Sequence, residues 1–270
     1  MFRRVIGLVG LPRSGTTLLS SILGVHLRIE AVYEPWNRDE TDQRAPPDLE
    51  FAHFVTQFAS SAVDKEVLLV KETTTHLTYL DYIAHFLRSA PPPITADLIL
   101  LWRNPFHVFL SEIEARRKWW DDADVVISQE EFDRWANARV GALARMIEMG
   151  REFGAVLINY EALVGDKERV VPALMNELNL EFDIRQLEYE KYLEKHRVRG
   201  DITIATAPLP ISDGSLKQRA AQMPALHEIV KGAAWYERVI KASEAIPAIG
   251  GSGIGRFRLG GVEMTPARKG

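Results

Sequence analysis

The sequence predicts an α/β fold with a central parallel sheet flanked by helices, and two observations lead there. Four short runs rich in β-branched residues and leucine, Val5 to Val9, Val67 to Val70, Leu98 to Trp102 and Val156 to Ile158, are continuously apolar. A half-exposed strand would alternate, so these read as strands buried on both faces. Between them lie stretches with helical periodicity, and strand alternating with helix is the pattern of a parallel sheet covered on both sides.

The first strand opens directly into Gly10-Leu-Pro-Arg-Ser-Gly15-Thr16-Thr17 and a helix from about Thr17 to Leu23. The two N-terminal arginines and the apolar run after them superficially suggest a signal peptide, but no small-residue cleavage site intervenes before the glycine loop. Further helices are expected over Tyr79 to Leu87, Pro105 to Trp119 and, as one long element, from about Glu130 to Phe153. Ser128 followed three residues later by Glu131 makes a capping-box start for the last of these. After the fourth strand comes a helix from about Lys167 to Leu178. Residues 39–48 and 91–96 read as loops. From Ile246 the chain turns glycine-rich, basic and aperiodic, which reads as a mobile tail, 246–270, behind a single domain, 1–245, with a segment that covers substrate as the alternative reading of the tail.

Composition narrows the chemistry. With 270 residues and 46% hydrophobic content the chain can bury a substantial core. Its 33 basic and 37 acidic residues leave a net charge of -4, which is no electrostatic footprint for nucleic acid. The sequence contains no cysteine, which excludes disulfides, thiol nucleophiles and zinc-thiolate sites. The seven histidines lack H-x-x-x-H spacing, so no metal site is expected. No segment reaches the roughly 18 apolar residues of a membrane span. The composition is that of a soluble cytoplasmic protein, with its oligomeric state open.

Ligands of parallel sheets bind at the carboxyl ends of the strands. The residues there are the glycine loop, Lys71-Glu72-Thr73, Arg103-Asn104-Pro105 and Asn159-Tyr160-Glu161. The glycine loop departs from the nucleotide-binding pattern G-x-x-x-x-G-K-[ST] at one position, where Thr16 replaces the lysine that reaches the terminal phosphates of a triphosphate. Its amides can still cradle one phosphate at a helix N-terminus, Thr16 and Thr17 add hydroxyls, and Arg13 adds a planar cation. The strand from Leu98 ends in Arg103 where a nucleoside triphosphatase often places a Mg²⁺-organising aspartate. Arg103 and Ser111, about two helical turns apart, can meet at a strand-to-helix junction as a second phosphate site; an ordinary helix start with proline in its first turn is the simpler reading of Arg-Asn-Pro alone.

Taken together, P-R-S-G-T-T and, about 90 residues later, R-N-P-x-x-x-x-x-S resemble the two signature motifs of the sulfotransferases that use 3′-phosphoadenylyl sulfate (PAPS). The resemblance covers about residues 4 to 180 and implies a P-loop-like α/β fold with PAPS as cosubstrate and no metal. It implies that Pro12, Arg13, Ser14, Gly15, Thr16 and Thr17 hold the 5′-phosphosulfate end and that Arg103 and Ser111 hold the 3′-phosphate. His107 stands where the family often carries an aspartate. Leu11 to Thr17 is similar to the carbohydrate and protein-tyrosine branches, whereas the phenol and steroid branch opens with Y-P-K-[ST]-G-T. Tyr33-Glu34-Pro35-Trp36 resembles the acidic loop of the former branches, which implies that Glu34 is the general base.

Other residues are weighed against simpler roles. Lys71 ends a buried strand where an aliphatic residue would be expected, and the resemblance gives it the task of stabilising charge on the bridging oxygen; an interior ion pair with Glu34 or Glu72 is the alternative. Glu30, Glu72 and His76 compete with Glu34 as base. Lys217 and Arg219 fall roughly where related enzymes close a segment on the nucleotide, although those carry Ser and Trp there. Trp119 and Trp120 fit either an acceptor cleft or the core. The expected activity is O-sulfation of a saccharide, glycolipid or natural-product hydroxyl, in a pocket built from residues 36–54, 119–127 and 197–214. A kinase with a degenerate loop and an inactive nucleotide-binding protein are the competing readings.

Overall fold

The computed structural model describes residues 2–36, 50–59, 62, 64–119, 122–193, 213–244, 246 and 251–257. Six strands, β1 (Arg4–Gly10), β2 (Ile29–Tyr33), β3 (Val67–Thr73), β4 (Thr95–Trp102), β5 (Val156–Asn159) and β6 (Ile254–Arg256), form one sheet in the order β2-β3-β1-β4-β5-β6. The first five are parallel, and β6 runs antiparallel to β5.

All four strands expected from their apolar runs are present, and their alternate residues feed two cores. Val5 and Val9 of β1 face one core with Leu68, Val70, Leu98 and Leu100. Ile6 and Leu8 face the other with Leu69, Ile99, Leu101 and Ile158. Full burial of each such side chain contributes roughly 1.5–3 kcal/mol, so both faces of the sheet are held by apolar packing.

Helices α1 (Thr16–Gly24), α7 (Tyr160–Gly165) and α8 (Lys167–Glu177) cover the second face, while α2 (Phe51–Phe58), α3 (Leu77–Arg88) and α6 (Val140–Phe153) cover the first. The chain leaves β1 through α1 on one face and crosses β3 to reach β2. It leaves β3 through α3 on the other face and crosses β1 to reach β4. The carboxyl end of β1 therefore lies where the winding reverses, which is where such sheets open a crevice.

A third cluster forms where α4 (Pro105–Trp119) meets α5 (Gln129–Asn137) and two later helices, α10 (Gly214–Val230) and α11 (Tyr236–Glu244). A 3-10 turn at Ile184–Glu188 and the one-turn helix α9 (Tyr189–Tyr192) lie between α8 and α10. Phe106 stacks on Phe132 at 5.5 Å, and Phe109 and Trp135 complete an aromatic block. This block clamps the first turns of α4 and so fixes the residues just before them.

Three features differ from the sequence reading. The segment IEAVY forms β2 although its glutamate and alanine interrupt the apolar run. The long helix expected from Glu130 to Phe153 is broken in two. There Arg139 Nη1 takes the Trp135 carbonyl at 3.0 Å and the Arg139 amide bonds one residue short of helical spacing, to Ala136. Ser128 does cap α5, accepting from the Glu131 amide at 3.1 Å. Finally, within the segment read as a tail, Ile254–Arg256 form β6 and Phe257 lies in the first core.

Candidate active site

The loop between β1 and α1 is built on close approaches. A Cβ on Gly10 would stand 2.6 Å from Ser14 Oγ and 2.7 Å from Thr16 Cγ2, and one on Gly15 would stand 2.4 Å from two ring carbons of Tyr160. Arg13 and Gly15 both have left-handed backbones, with φ of 66° and 99°. The chain thereby turns onto the N-terminus of α1, whose first-turn amides have no acceptor within the helix. Ser14 Oγ is buried with no hydrogen-bond partner among the described residues, and the Thr16 hydroxyl bonds that of Thr73 at 2.6 Å. The buried, unpartnered Ser14 hydroxyl and the N-terminus of α1 together form an anion cradle.

The end of β4 supplies the second cluster. The Arg103 side chain is buried, the residue being 6% exposed, and its guanidinium lies over the Tyr160 ring at 4.2 Å. Nη1 donates to the Arg13 carbonyl at 2.7 Å, whereas Nε and Nη2 have no hydrogen-bond partner among the described residues. Burial, with repulsion from Arg219 and Arg13, lowers its hold on its proton from the ordinary arginine range, although an arginine stays charged. Arg219, also buried, extends from α10 and pairs with Glu114 of α4. Ser111 is buried on α4. An under-partnered guanidinium, pressed by two like charges, is a site that an anion would stabilise.

The turn that presents Arg103 is fixed from the first turn of α7, just beyond β5. Glu161 Oε1 accepts from the Asn104 amide at 3.0 Å and contacts His107 Nδ1 at 3.0 Å. His107, at the position where an aspartate was expected, therefore braces the turn through Glu161. Asn104 Oδ1 accepts from the Phe106 amide at 2.9 Å, closing the start of α4. Trp119, partly buried at the end of α4, has its ring 5.2 Å from the Arg13 guanidinium.

The third cluster joins β2, β3 and α1. Beyond β2 the ladder continues through the Glu34 amide to the Lys71 carbonyl at 2.8 Å. Glu34 then turns with φ of 47° ahead of Pro35. Lys71, 1% exposed, donates to Thr17 Oγ1 at 3.1 Å and forms an ion pair with Glu34. The interior ion pair weighed against a catalytic lysine is thus present, and it sets Lys71 between the phosphate loop and the acidic loop. Glu72 points to the opposite face of the sheet. Burial first, and then the Glu34 charge, push its carboxyl up to about 8, while the nearby Lys71 charge and the amides of Trp36 and Thr73 oppose this only in part. His76 is exposed at the start of α3, with its ring against Tyr79, and Glu30 is buried within β2.

Arg13, Ser14, Gly15, Thr16, Thr17, Lys71, Glu34 and Arg103 thus gather at the carboxyl end of the sheet, with Pro12 in the same loop and the Arg219 charge acting on Arg103, while Ser111 lies buried on α4. Lys217 does not join them, since its side chain is 77% exposed and pairs with Asp213 at 2.8 Å. In the sequence, Tyr160 and Glu161 stand out only as residues that follow a strand. Residues 37–49, 120–121 and 197–212 of the expected acceptor loops lie outside the described residues. No group of three or more metal-ligating side chains occurs among the described residues, and no helix there is long and apolar enough to cross a membrane.

Residues 6–184 match the model of the Sulfotransferase family. A comparison with curated protein sequences finds no match. Among solved structures, the chain is similar to the sulfotransferase domain from the olefin synthase of Synechococcus PCC 7002, with 17% identity, 90% of this chain and 94% of that chain covered, and a TM-score of 0.56. It is also similar to mouse sulfotransferase SULT7A1 complexed with PAP, with 11% identity, 91% of this chain and 90% of that chain covered, and a TM-score of 0.52.

Proposed function

This chain belongs to the sulfotransferase family, and from that premise we propose that it transfers a sulfuryl group from PAPS to a hydroxyl of a saccharide, glycolipid or natural product. The observation that carries the choice of donor is the buried Arg103 guanidinium with an open Nε and Nη2 edge, tied to a phosphate loop that has no lysine. A triphosphate needs that lysine and usually Mg²⁺. A nucleotide with one phosphate at each of two places needs two separate anion sites, and the residues fit it. The mouse relative complexed with PAP is in keeping with the same ligand.

When bound, PAPS supplies an activated sulfuryl group on a phosphate that leaves readily. The cradle of residues 13–17 holds the 5′ end, and Arg103, Ser111 and Arg219 hold the 3′-phosphate. Glu34 accepts the proton of the acceptor hydroxyl, a role worth about 10²- to 10⁴-fold. Lys71 is already bonded to Glu34 and Thr17, so its charge lies between base and loop. As Glu34 gains a proton its attraction for Lys71 weakens, and the ammonium is freed to stabilise charge on the 5′-phosphate oxygens.

Isothermal titration with adenosine 3′,5′-bisphosphate in metal-free buffer tests the donor. Binding is expected, with ATP weaker and indifferent to Mg²⁺. Mg²⁺-dependent ATP binding without affinity for the bisphosphate would overturn the reading in favour of a kinase. Incubation with PAPS and a panel of hydroxyl acceptors, read by mass gain of one sulfuryl group, identifies the acceptor. Bisphosphate binding without turnover across the panel, unaltered by Glu34→Gln, would indicate an inactive binding protein.

A further inference from the structure

We infer that Arg103 couples the two ends of the nucleotide site, so that the 3′-phosphate orders the loop that holds the 5′ end as well as adding a contact of its own. The inference rests on the proposed use of a 3′-phosphorylated nucleotide.

The guanidinium of an arginine presents its donors in a fixed planar fork. In Arg103 one corner, Nη1, is spent inside the protein on the Arg13 carbonyl. The opposite edge, Nε and Nη2, is buried and open among the described residues, and these two nitrogens are the pair that grip an anion bidentately. One rigid group thus faces the 3′-phosphate with one edge and the backbone of the glycine loop with another. The plane has little freedom, because Tyr160 lies beneath it at 4.2 Å.

The loop side of the contact is a place where a tether matters. Arg13 has φ of 66°, a conformation that is strained for a non-glycine residue and persists only where neighbours hold it. The bond from Arg103 holds that residue's carbonyl. Tyr160 acts on the same unit, since its ring fills the space beside Gly15 where a Cβ would be. An anion on the open edge of Arg103 fixes the guanidinium, and through Nη1 and the Tyr160 face it fixes residues 13 to 15. A nucleotide without the 3′-phosphate leaves that edge empty and the loop less firmly held.

Titrations of wild type and Arg103→Ala with adenosine 3′,5′-bisphosphate and with adenosine 5′-monophosphate test this. Arg103→Ala is expected to weaken the bisphosphate strongly and the monophosphate by about tenfold, because the tether to Arg13 is lost in both cases. Monophosphate affinity equal to wild type would overturn the coupling while leaving the donor assignment standing. Failure of wild type to bind the bisphosphate would overturn the donor assignment itself. A second measurement needs no variant: hydrogen exchange of amides 13–17 in wild type saturated with each nucleotide. The bisphosphate is expected to slow exchange more than the monophosphate does, and equal protection would overturn the coupling.

Discussion

Lys71 Nζ donates to Thr17 Oγ1 at 3.1 Å while pairing with Glu34 on its other side, so one buried ammonium joins the phosphate loop to the acidic loop. Removing it affects two things separately. Lys71→Met should lower turnover by about 10²- to 10³-fold, the usual cost of losing a preorganised charge at a developing anion. It should also lower stability, by up to about 3–5 kcal/mol, because the Glu34 carboxylate is left without its partner. The double variant Lys71→Met, Glu34→Gln should recover much of the stability and none of the activity. Urea denaturation beside steady-state kinetics separates the two. Full activity in Lys71→Met would remove the lysine from the mechanism.

Glu72 makes stability depend on pH. Its carboxyl is pushed from an ordinary 4.5 up to about 8, so between those values the folded protein holds a proton that the unfolded chain has released. Stability from this group therefore falls as pH rises through that window. Below the window both states are protonated and the group contributes nothing. Above it the folded state bears the whole cost of a buried carboxylate, on the order of several kcal/mol. Glu72→Gln removes the titration. Relative to wild type it should gain stability at pH 8 and gain little at pH 4.5, measured by urea midpoints. An unchanged difference between the two pH values would show that folding does not shift the Glu72 carboxyl.

Gly15→Ala should damage the loop for two independent reasons. Its φ of 99° is unfavourable for any residue with a Cβ, and that Cβ would stand 2.4 Å from Tyr160. The expected loss is about 1–3 kcal/mol from the backbone alone, with nucleotide affinity falling further as the ring is pushed from under Arg103. Adding Tyr160→Ala relieves the clash and leaves the backbone strain. The double variant should therefore melt at or above Gly15→Ala without regaining wild-type affinity. Wild-type affinity in Gly15→Ala would mean that the loop tolerates a different turn.

The residues that could be found in the sequence share one physical property. Arg13, Lys71 and Arg103 each lie at or just beyond the end of a strand buried on both faces, where a charge interrupts an apolar run. Parallel strands make that contrast sharp, because nothing polar is needed until the chain reaches the sheet's end. The residues that escaped notice depend on contacts between distant segments. The ring of Tyr160 matters because Gly15 and Arg103 close on it, and neither is near it in sequence. The break before α6 is made by a side chain taking the Trp135 carbonyl, an event that a helical pattern does not encode. Lys217 illustrates the reverse error: it is near Arg219 in sequence, but it pairs with Asp213 in solvent while Arg219 is buried and its charge acts on Arg103.

Composition misled most at the C-terminus, and Phe257 gives the corresponding test. Glycine-rich, basic chain around it reads as a tail, yet Phe257 is 1% exposed and its amide donates to the Ala155 carbonyl at 2.9 Å. Its ring occupies the space beside Gly150, where a Cβ would come within 2.9 Å. Phe257→Ala should therefore cost about 3–5 kcal/mol, the range for deleting a buried aromatic. Arg256→Ala, one residue earlier, removes a half-exposed pair with Glu177 at 3.3 Å and should cost under about 1 kcal/mol. Chemical denaturation of both variants compares them directly. Equal, small losses would return this segment to the periphery of the fold, whereas the expected contrast makes β6 a working edge of the sheet that carries Tyr160 and Glu161 to the site.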